Sequence, residues 1–355
     1  MSGVANDFDT HATGLSHLSA RLNRFIESEC GAGCRAVSLH PMEEGHAGLT
    51  FGFDIINGAA ESLGSYVLKL APVGVVRRGN TDVYRQAPLL RALKSAGMPV
   101  PGVPWASPTE DALGTPFIIM ERLPGRIFFV WGPHASFPRE AARVRALWLE
   151  AARLLARLHR LDWRTVLPDW ERPRAPRDEV DAWVPLLRHA AAPAIEREGA
   201  QLHRLLGAHI PDVHPVGVVH GDFQPGNILY VVGKAEAIID WELASIGAQG
   251  LDVGWLMMLA DPSAWPPPCR PVAPLSGGEL LDAYRSAGGP VFHDIAWYQA
   301  LAQFRLGAIA CLNVKLHRSG KRPDRFWESM APAISTLFAH GIALLSGDEK
   351  ISHGG

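Results

Sequence analysis

Val219-His220-Gly221-Asp222-Phe223-Gln224-Pro225-Gly226-Asn227, followed by Ile238-Ile239-Asp240-Trp241-Glu242, carries most of the chemistry in this 355-residue chain. Asp222 sits on a glycine-flanked loop after the apolar Val218-Val219, so its carboxylate can face a cleft. Ile228 to Val232 and Ala235 to Ile239 read as two short strands around Gly233-Lys234, a hairpin. Asn227 opens the first strand and Asp240 ends the second, and a hairpin brings those two ends together. An amide oxygen and a carboxylate are hard oxygen ligands suited to Mg²⁺ that also holds phosphate oxygens. Asp222 then stands as the base or orienting group for an incoming hydroxyl. The plainer reading makes Asp222 and Asp240 ordinary turn residues, a common place for aspartate. It does not account for the whole arrangement.

Around this segment the chain changes character. The first 120 residues read mostly as strand and turn: β-rich runs at Leu49 to Ile56 and Ser65 to Leu70, turn-rich residues from Asn57-Gly58 to Gly64 between them, and an apolar strand at Phe117 to Met120. A helix is expected over Asp82 to Ala96, closed by Gly97 and the Pro99/Pro101 pair. After Leu123-Pro124-Gly125 the pattern turns helical. Val144, Leu147, Trp148, Ala151, Leu154, Leu155 and Leu158 recur at spacings of three and four. Asp181 to Leu206 is helical in character, and helices resume from Leu251 around a proline-rich loop at Asp261 to Pro274. A β-rich first third therefore meets a helical remainder near residue 122, an α+β chain.

Composition narrows the classes. Hydrophobic residues make up 47% and charged residues 20%, which suits a core-forming protein. A net charge of −2 gives no electrostatic case for nucleic acid as a partner. No apolar run is long enough to span a bilayer, and the first residues carry no secretory pattern, so a cytoplasmic location without membrane partners is expected. Cys30, Cys34, Cys269 and Cys311 form no CxxC pair and read as reduced thiols rather than zinc ligands.

The His-Gly-Asp-(x)4-Asn loop with the following Ile-Asp-Trp-Glu resembles the aminoglycoside phosphotransferase and choline kinase-like family, and is the counterpart of the catalytic loop and metal-binding aspartate of protein kinases. The resemblance implies a protein-kinase-like bilobal fold: a β-rich nucleotide-binding lobe over residues 1–122 and a mainly helical catalytic and substrate-binding lobe over 123–355. It implies ATP and Mg²⁺ as cofactors, Asp222 as catalytic residue, and Asn227 and Asp240 as metal ligands. Lys69 matches the lysine that holds the α- and β-phosphates. Glu44-Gly45-His46-Ala47-Gly48-Leu49-Thr50 looks like the phosphate-covering turn, with Gly45, His46, Gly48 and Thr50 beside the phosphates. Met120-Glu121-Arg122-Leu123 occupies the place of the linker, where the backbone of Glu121 and Leu123 would hydrogen-bond adenine. His220 reads as a brace for the loop. Asp252 resembles an aspartate that supports the loop and reads equally as a cap for the following helix.

Several segments resemble one branch, the kinase-like domain attached to some acyl-CoA dehydrogenases. They are Asp240 to Gly247, Leu251 to Leu256, Leu158-His159-Arg160-Leu161-Asp162-Trp163 and Phe304-Arg305-Leu306-Gly307-Ala308-Ile309. The chain departs from the pattern in two places. Gln86 stands where a glutamate should pair with Lys69, and Ala248-Gln249 replaces an Asp-Pro. Polycationic acceptors need a carboxylate-rich pocket. Arg305, Lys315, His317, Arg318, Lys321 and Arg322 point instead to a neutral or anionic hydroxylated small molecule, a hydroxyacyl-CoA by analogy with the branch, and read equally as a solvated helix face. The expected activity is transfer of the ATP γ-phosphate to a substrate hydroxyl. Gln86 supports the alternative, a non-catalytic ATP-binding module of pseudokinase type. A Mg²⁺-dependent phosphatase leaves the lysine strand without a purpose.

Overall fold

The computed structural model describes residues 12–42 and 49–347. The chain is α+β and divides by its contacts into two units: residues 1–125 with 236–243, and residues 126–235 with 244–355. The sequence suggested a single junction at 122. The contacts also carry Glu236–Leu243, which includes Asp240, into the first unit.

In the first unit, helix α1 (Ala12–Cys30) precedes strands β1 (Arg35–Pro41), β2 (Leu49–Ile56) and β3 (Ser62–Leu70). Helix α2 (Gln86–Ser95) and strands β4 (Trp105–Ser107) and β5 (Phe117–Glu121) complete it. The strands form one antiparallel sheet in the order β1-β2-β3-β5-β4. Side chains alternate across a strand. Phe51, Phe53, Ile55, Leu68, Leu70, Phe117 and Ile119 therefore share one face and build the core with Leu18, Leu22 and Ile26 of α1. Lys69, between Leu68 and Leu70, is turned to the other face. The expectation of strand and turn at the start of the chain is corrected by α1. Its apolar positions, Leu15, Leu18, Leu22 and Ile26, recur at spacings of three and four, a helical stripe.

In the second unit, β6 (Arg126–Ile127) is followed by α3 (Ala141–His159), then by the short helices α4 (Trp163–Val166), α5 (Pro176–Asp181) and α6 (Val184–Leu187), and by α7 (Pro193–Ala208). The helical stretch expected over Asp181 to Leu206 is thus broken. Pro185 and Pro193 each fall in a first helical turn, where a missing N–H costs nothing and a new helix starts. Strand β7 (Val216–Val219) leads to the Asp222 loop, and β8 (Ile228–Val231) pairs with β6. Strand β9 (Lys234–Ile238) follows a turn at Val232-Gly233, both with positive φ (49° and 77°), as a tight hairpin turn requires. Along β9 the chain passes into the first unit. It returns as β10 (Ser245–Ala248), antiparallel to β7 with Ser245 opposite Val219. Helices α8 (Gly250–Ala260), α9 (Gly277–Ser286), α10 (Ile295–Arg318), α11 (Arg325–Met330) and α12 (Ala333–Ser346) complete the unit. Every residue of α8 is buried. At Gly254 the backbone of α10 lies so close that a β-carbon would collide with Tyr298.

Candidate active site

The Asp222 loop in the second unit is held from inside and from below. Gly221 takes a positive φ of 89°, a conformation glycine adopts without strain, and this turns the chain at the head of the loop. Both carboxylate oxygens of Asp222 then accept hydrogen bonds. The Gln224 amide donates to Oδ1 at 2.8 Å and the Asn227 amide to Oδ2 at 3.0 Å. Asn227 Nδ2 also donates to the Asp222 carbonyl at 2.8 Å. With its NH₂ group spent on Asp222, Asn227 keeps Oδ1 as its acceptor oxygen. His220 braces the loop, its Nδ1 accepting the Asp222 N–H at 3.2 Å.

Beneath the loop lies a fully buried carboxylate. Asp252 accepts the His220 N–H at 2.7 Å on Oδ2 and the Gly221 N–H at 2.8 Å on Oδ1. It also meets His159 Nε2 at 3.3 Å, and the other nitrogen of His159 bonds to the Tyr284 hydroxyl at 2.7 Å. Burial raises the Asp252 pKa, but the hydrogen bonds from His159 and the loop amide, with the fields of His159 and His220, outweigh it and hold the carboxyl below the usual range. Burial pushes the Tyr284 phenol far above its ordinary value, so the hydroxyl beside His159 keeps its proton. Of the two sequence readings of Asp252, the loop support is where its side-chain bonds go. The α8 N-cap is Gln249, which makes no side-chain capping bond. His159 lies in a segment that resembles the family, where its neighbours in the chain give it no role. Its partner lies 93 positions away.

The first unit contains a second charged centre. Lys69 Nζ lies 3.1 Å from Asp240 Oδ1 and 3.5 Å from Glu242 Oε2. Burial lowers the Lys69 pKa, but Asp240 and Glu242 together overcome it, so the net shift is upward and the side chain is an ammonium. Asp240 has a positive φ of 63°, a region aspartate tolerates better than most residues. Position 86 holds no glutamate; Glu242 pairs with Lys69 instead, and its backbone carbonyl also accepts from Arg85 Nη1 at 3.1 Å. Gln86 is buried at the start of α2, and the ion pairs of Lys69 run to Asp240 and Glu242.

Thr50 is paired with Lys69 across β2 and β3, so the two side chains share a face. Its Oγ1 is buried with no hydrogen-bond partner among the described residues. Gly45, His46 and Gly48 lie outside the described residues. The Glu121 N–H donates to the Gly102 carbonyl at 2.9 Å and is therefore not open for the adenine contact expected of it. Its carboxylate accepts from Gly102 N–H at 2.9 Å and Lys94 at 3.3 Å, bonds that lower its pKa. Leu123 follows β5 and is partly buried. All four cysteines are free thiols, and among the described residues no cluster of three His, Cys, Asp or Glu could hold a metal. No helix of the described residues is long and apolar enough to cross a membrane.

The chain is similar to several known proteins. Acyl-CoA dehydrogenase family member 10 of Mus musculus is 32% identical over 198 residues, 53% of this chain and 18% of that protein. The probable acyl-CoA dehydrogenase IBR3 of Arabidopsis thaliana is 29% identical over 290 residues, 75% of this chain and 35% of that protein. The chain thus spans about a fifth to a third of the length of these relatives. Among solved structures, a Ralstonia eutropha protein classed with the aminoglycoside phosphotransferases superposes with a TM-score of 0.71 at 21% identity, covering 94% of this chain and 98% of that one. A thermostable mutant of aminoglycoside phosphotransferase APH(4)-Ia, in a ternary complex with ADP and hygromycin B, gives 0.55 at 15% identity over 93% and 99%. At such identities these two establish a shared fold. The model of the phosphotransferase enzyme family, APH, matches residues 57–301, a span that includes Lys69, Asp222, Asn227, Asp240 and Asp252, and the chain belongs to that family.

Proposed function

We propose that this chain transfers the γ-phosphate of ATP to a hydroxyl of a small neutral or anionic metabolite, in a Mg²⁺-dependent reaction. The observation that carries the reading is the fixed carboxylate of Asp222, with an amide donor on each oxygen and its loop clamped by Asp252. A base within reach of a hydroxyl must be oriented before it is strong. Asp222 aligns the acceptor hydroxyl and takes its proton as that oxygen bonds to the γ-phosphorus and the bond to the β–γ bridging oxygen breaks, releasing ADP. Lys69 remains an ammonium and offers its charge to the α- and β-phosphates. The unpartnered Thr50 hydroxyl on the same face fits a phosphate oxygen. By the family pattern Asn227, through Oδ1, and Asp240 are the residues that would hold Mg²⁺, which when bound neutralises charge on the β- and γ-phosphate oxygens. The names of the relatives set this kind of domain beside acyl-CoA chemistry and support a hydroxyacyl-CoA among the acceptors.

The test is label transfer from γ-labelled ATP with Mg²⁺ to pooled hydroxyacyl-CoAs, sugars, amino alcohols and aminoglycosides, with Asp222→Ala alongside. Label on an acceptor, lost in the variant, is the expected result. Tight ATP binding with transfer to no pool would move the reading to a non-catalytic ATP-binding module. The absence of a glutamate at position 86 was the argument for that module. It is weakened by the two carboxylates that already hold Lys69.

A further inference from the structure

Arg305, on α10 in the second unit, is 6% exposed. Its guanidinium carbon lies 4.7 Å from the ring centre of Trp183 and 5.0 Å from that of Trp255. Among the described residues it makes no hydrogen bond and no ion pair, and its Nε is buried without a partner. The indole Nε1 atoms of Trp183 and Trp255 are buried and unpartnered as well. Glu179, Asp222 and Asp252 are the carboxylates near enough to act on its charge, and Arg174 is the facing cation. Each carboxylate has its own bonds: Glu179 to Arg174 at 3.5 Å, Asp252 to the loop amides and His159, Asp222 to Gln224 and Asn227.

A guanidinium in a protein does not escape burial by losing its proton. Stacking on indole faces compensates part of its desolvation. Stacking leaves Nε–H without a partner, and an unmade bond to a buried charged donor is among the more costly features a fold can carry. Arginine and tryptophan side chains are donors only. What completes this cluster is therefore a group rich in acceptors and negatively charged. Trp183 is only partly buried, so the cluster is not sealed from solvent.

We propose that Arg305, with Trp183 and Trp255, is the seat for an oxyanion on the phosphate acceptor, so that the acceptor is a hydroxylated acid bearing a carboxylate or phosphate. This rests on the phosphotransferase reading for the word acceptor. The seat itself rests on the three unpartnered donors. Arg305 is then a specificity residue whose buried charge is maintained for a ligand.

Calorimetric titration of the full chain without ATP tests the seat directly. The probes are 3-hydroxybutyrate against 1,3-butanediol, and glycerol 3-phosphate against glycerol. At least one anion is expected to bind about tenfold or more tighter than its neutral counterpart. Preference for 3-hydroxybutyrate alone assigns a carboxylate, and preference for glycerol 3-phosphate alone assigns a phosphate. Arg305→Met should abolish the preference without lowering the melting temperature, because it removes an unpaired buried charge. No preference in the wild type, or a preference that survives Arg305→Met, overturns the proposal. Should that variant fail to fold, Trp183→Phe, which keeps a ring face and loses the N–H, must weaken the preference several-fold, and an unchanged preference overturns it. Anion preference with no label transfer to any acceptor would sink the phosphotransferase reading and leave the seat. Transfer to the diol and the acid alike, in wild type and Arg305→Met, would do the reverse.

Discussion

Asp222 and Lys69 are held by opposite means. The carboxylate of Asp222 is oriented by neutral amides from its own loop, two and five residues away. The ammonium of Lys69 is held by two carboxylates 171 and 173 positions along the chain. Neutral donors fix the direction of the Asp222 carboxylate, and Arg305 is a cation near enough for its charge to act on it. Opposite charges keep Lys69 protonated against burial and leave it a cation for a polyanion. One region fixes the direction of a carboxylate and the other preserves the charge of an ammonium, and the two should respond differently to substitution.

The largest effect is expected at Asp222. Asp222→Ala should lower kcat by about 10³-fold, within the usual range for a lost general base, with ATP binding nearly unchanged. A loss smaller than about tenfold would show that positioning alone drives transfer and that the carboxylate is not the base. Lys69→Met comes next, with kcat/KM for ATP reduced by about 10²-fold through the lost charge on the phosphates. Glu242→Gln should cost less, about tenfold, because Asp240 remains. If Glu242→Gln left the ATP parameters untouched, the second carboxylate would have no part in holding the lysine.

Asp252 extends the contrast to stability. Asp252→Asn exchanges a carboxylate with three donors for an amide that presents one acceptor oxygen, and should destabilise the second unit by about 2 kcal/mol in chemical denaturation. Its folded pKa lies below the unfolded value. Its contribution is therefore present above about pH 3.9 and is lost as pH falls through the folded pKa. The difference in stability between wild type and Asp252→Asn should shrink across that acid window. A gap that stayed constant down to acid unfolding would place the effect in packing rather than charge.

What the sequence revealed follows the same division. The residues of the Asp222 loop are neighbours in the chain, so their spacing carried the chemistry. Strand β2 is legible from end to end as a β-rich run before a turn, and α3 to within a few residues because it buries one face with a helical period. Other features are not legible in the sequence. The stripe in α1 is interrupted by polar and charged residues and was absorbed into a strand-rich region. Glu242 was quoted as part of a motif, yet its role appears only when Lys69 is brought to it. His159 and Tyr284 meet through a contact between residues 125 positions apart, and no local pattern encodes that. For Arg305 the sequence leaves substrate binding and a solvated helix face equally open, because residue type alone does not give burial, and α10 is buried on nearly every side.

The smallest effect is the one that separates the two accounts of Lys69. If a residue at the start of α2 were needed to hold the lysine, position 86 would control ATP use. If Asp240 and Glu242 suffice, it would not. Gln86→Met keeps the length and flexibility of the side chain and removes its amide, at a position that is 2% exposed. The expected change in kcat/KM for ATP is within about threefold, less than 1 kcal/mol of transition-state binding. Stability should serve as the control, since a lost buried amide bond would appear there first. A fall of an order of magnitude in ATP use with unchanged stability would return Gln86 to the nucleotide site. It would also mean that the two carboxylates fix the charge of Lys69 without fixing its place.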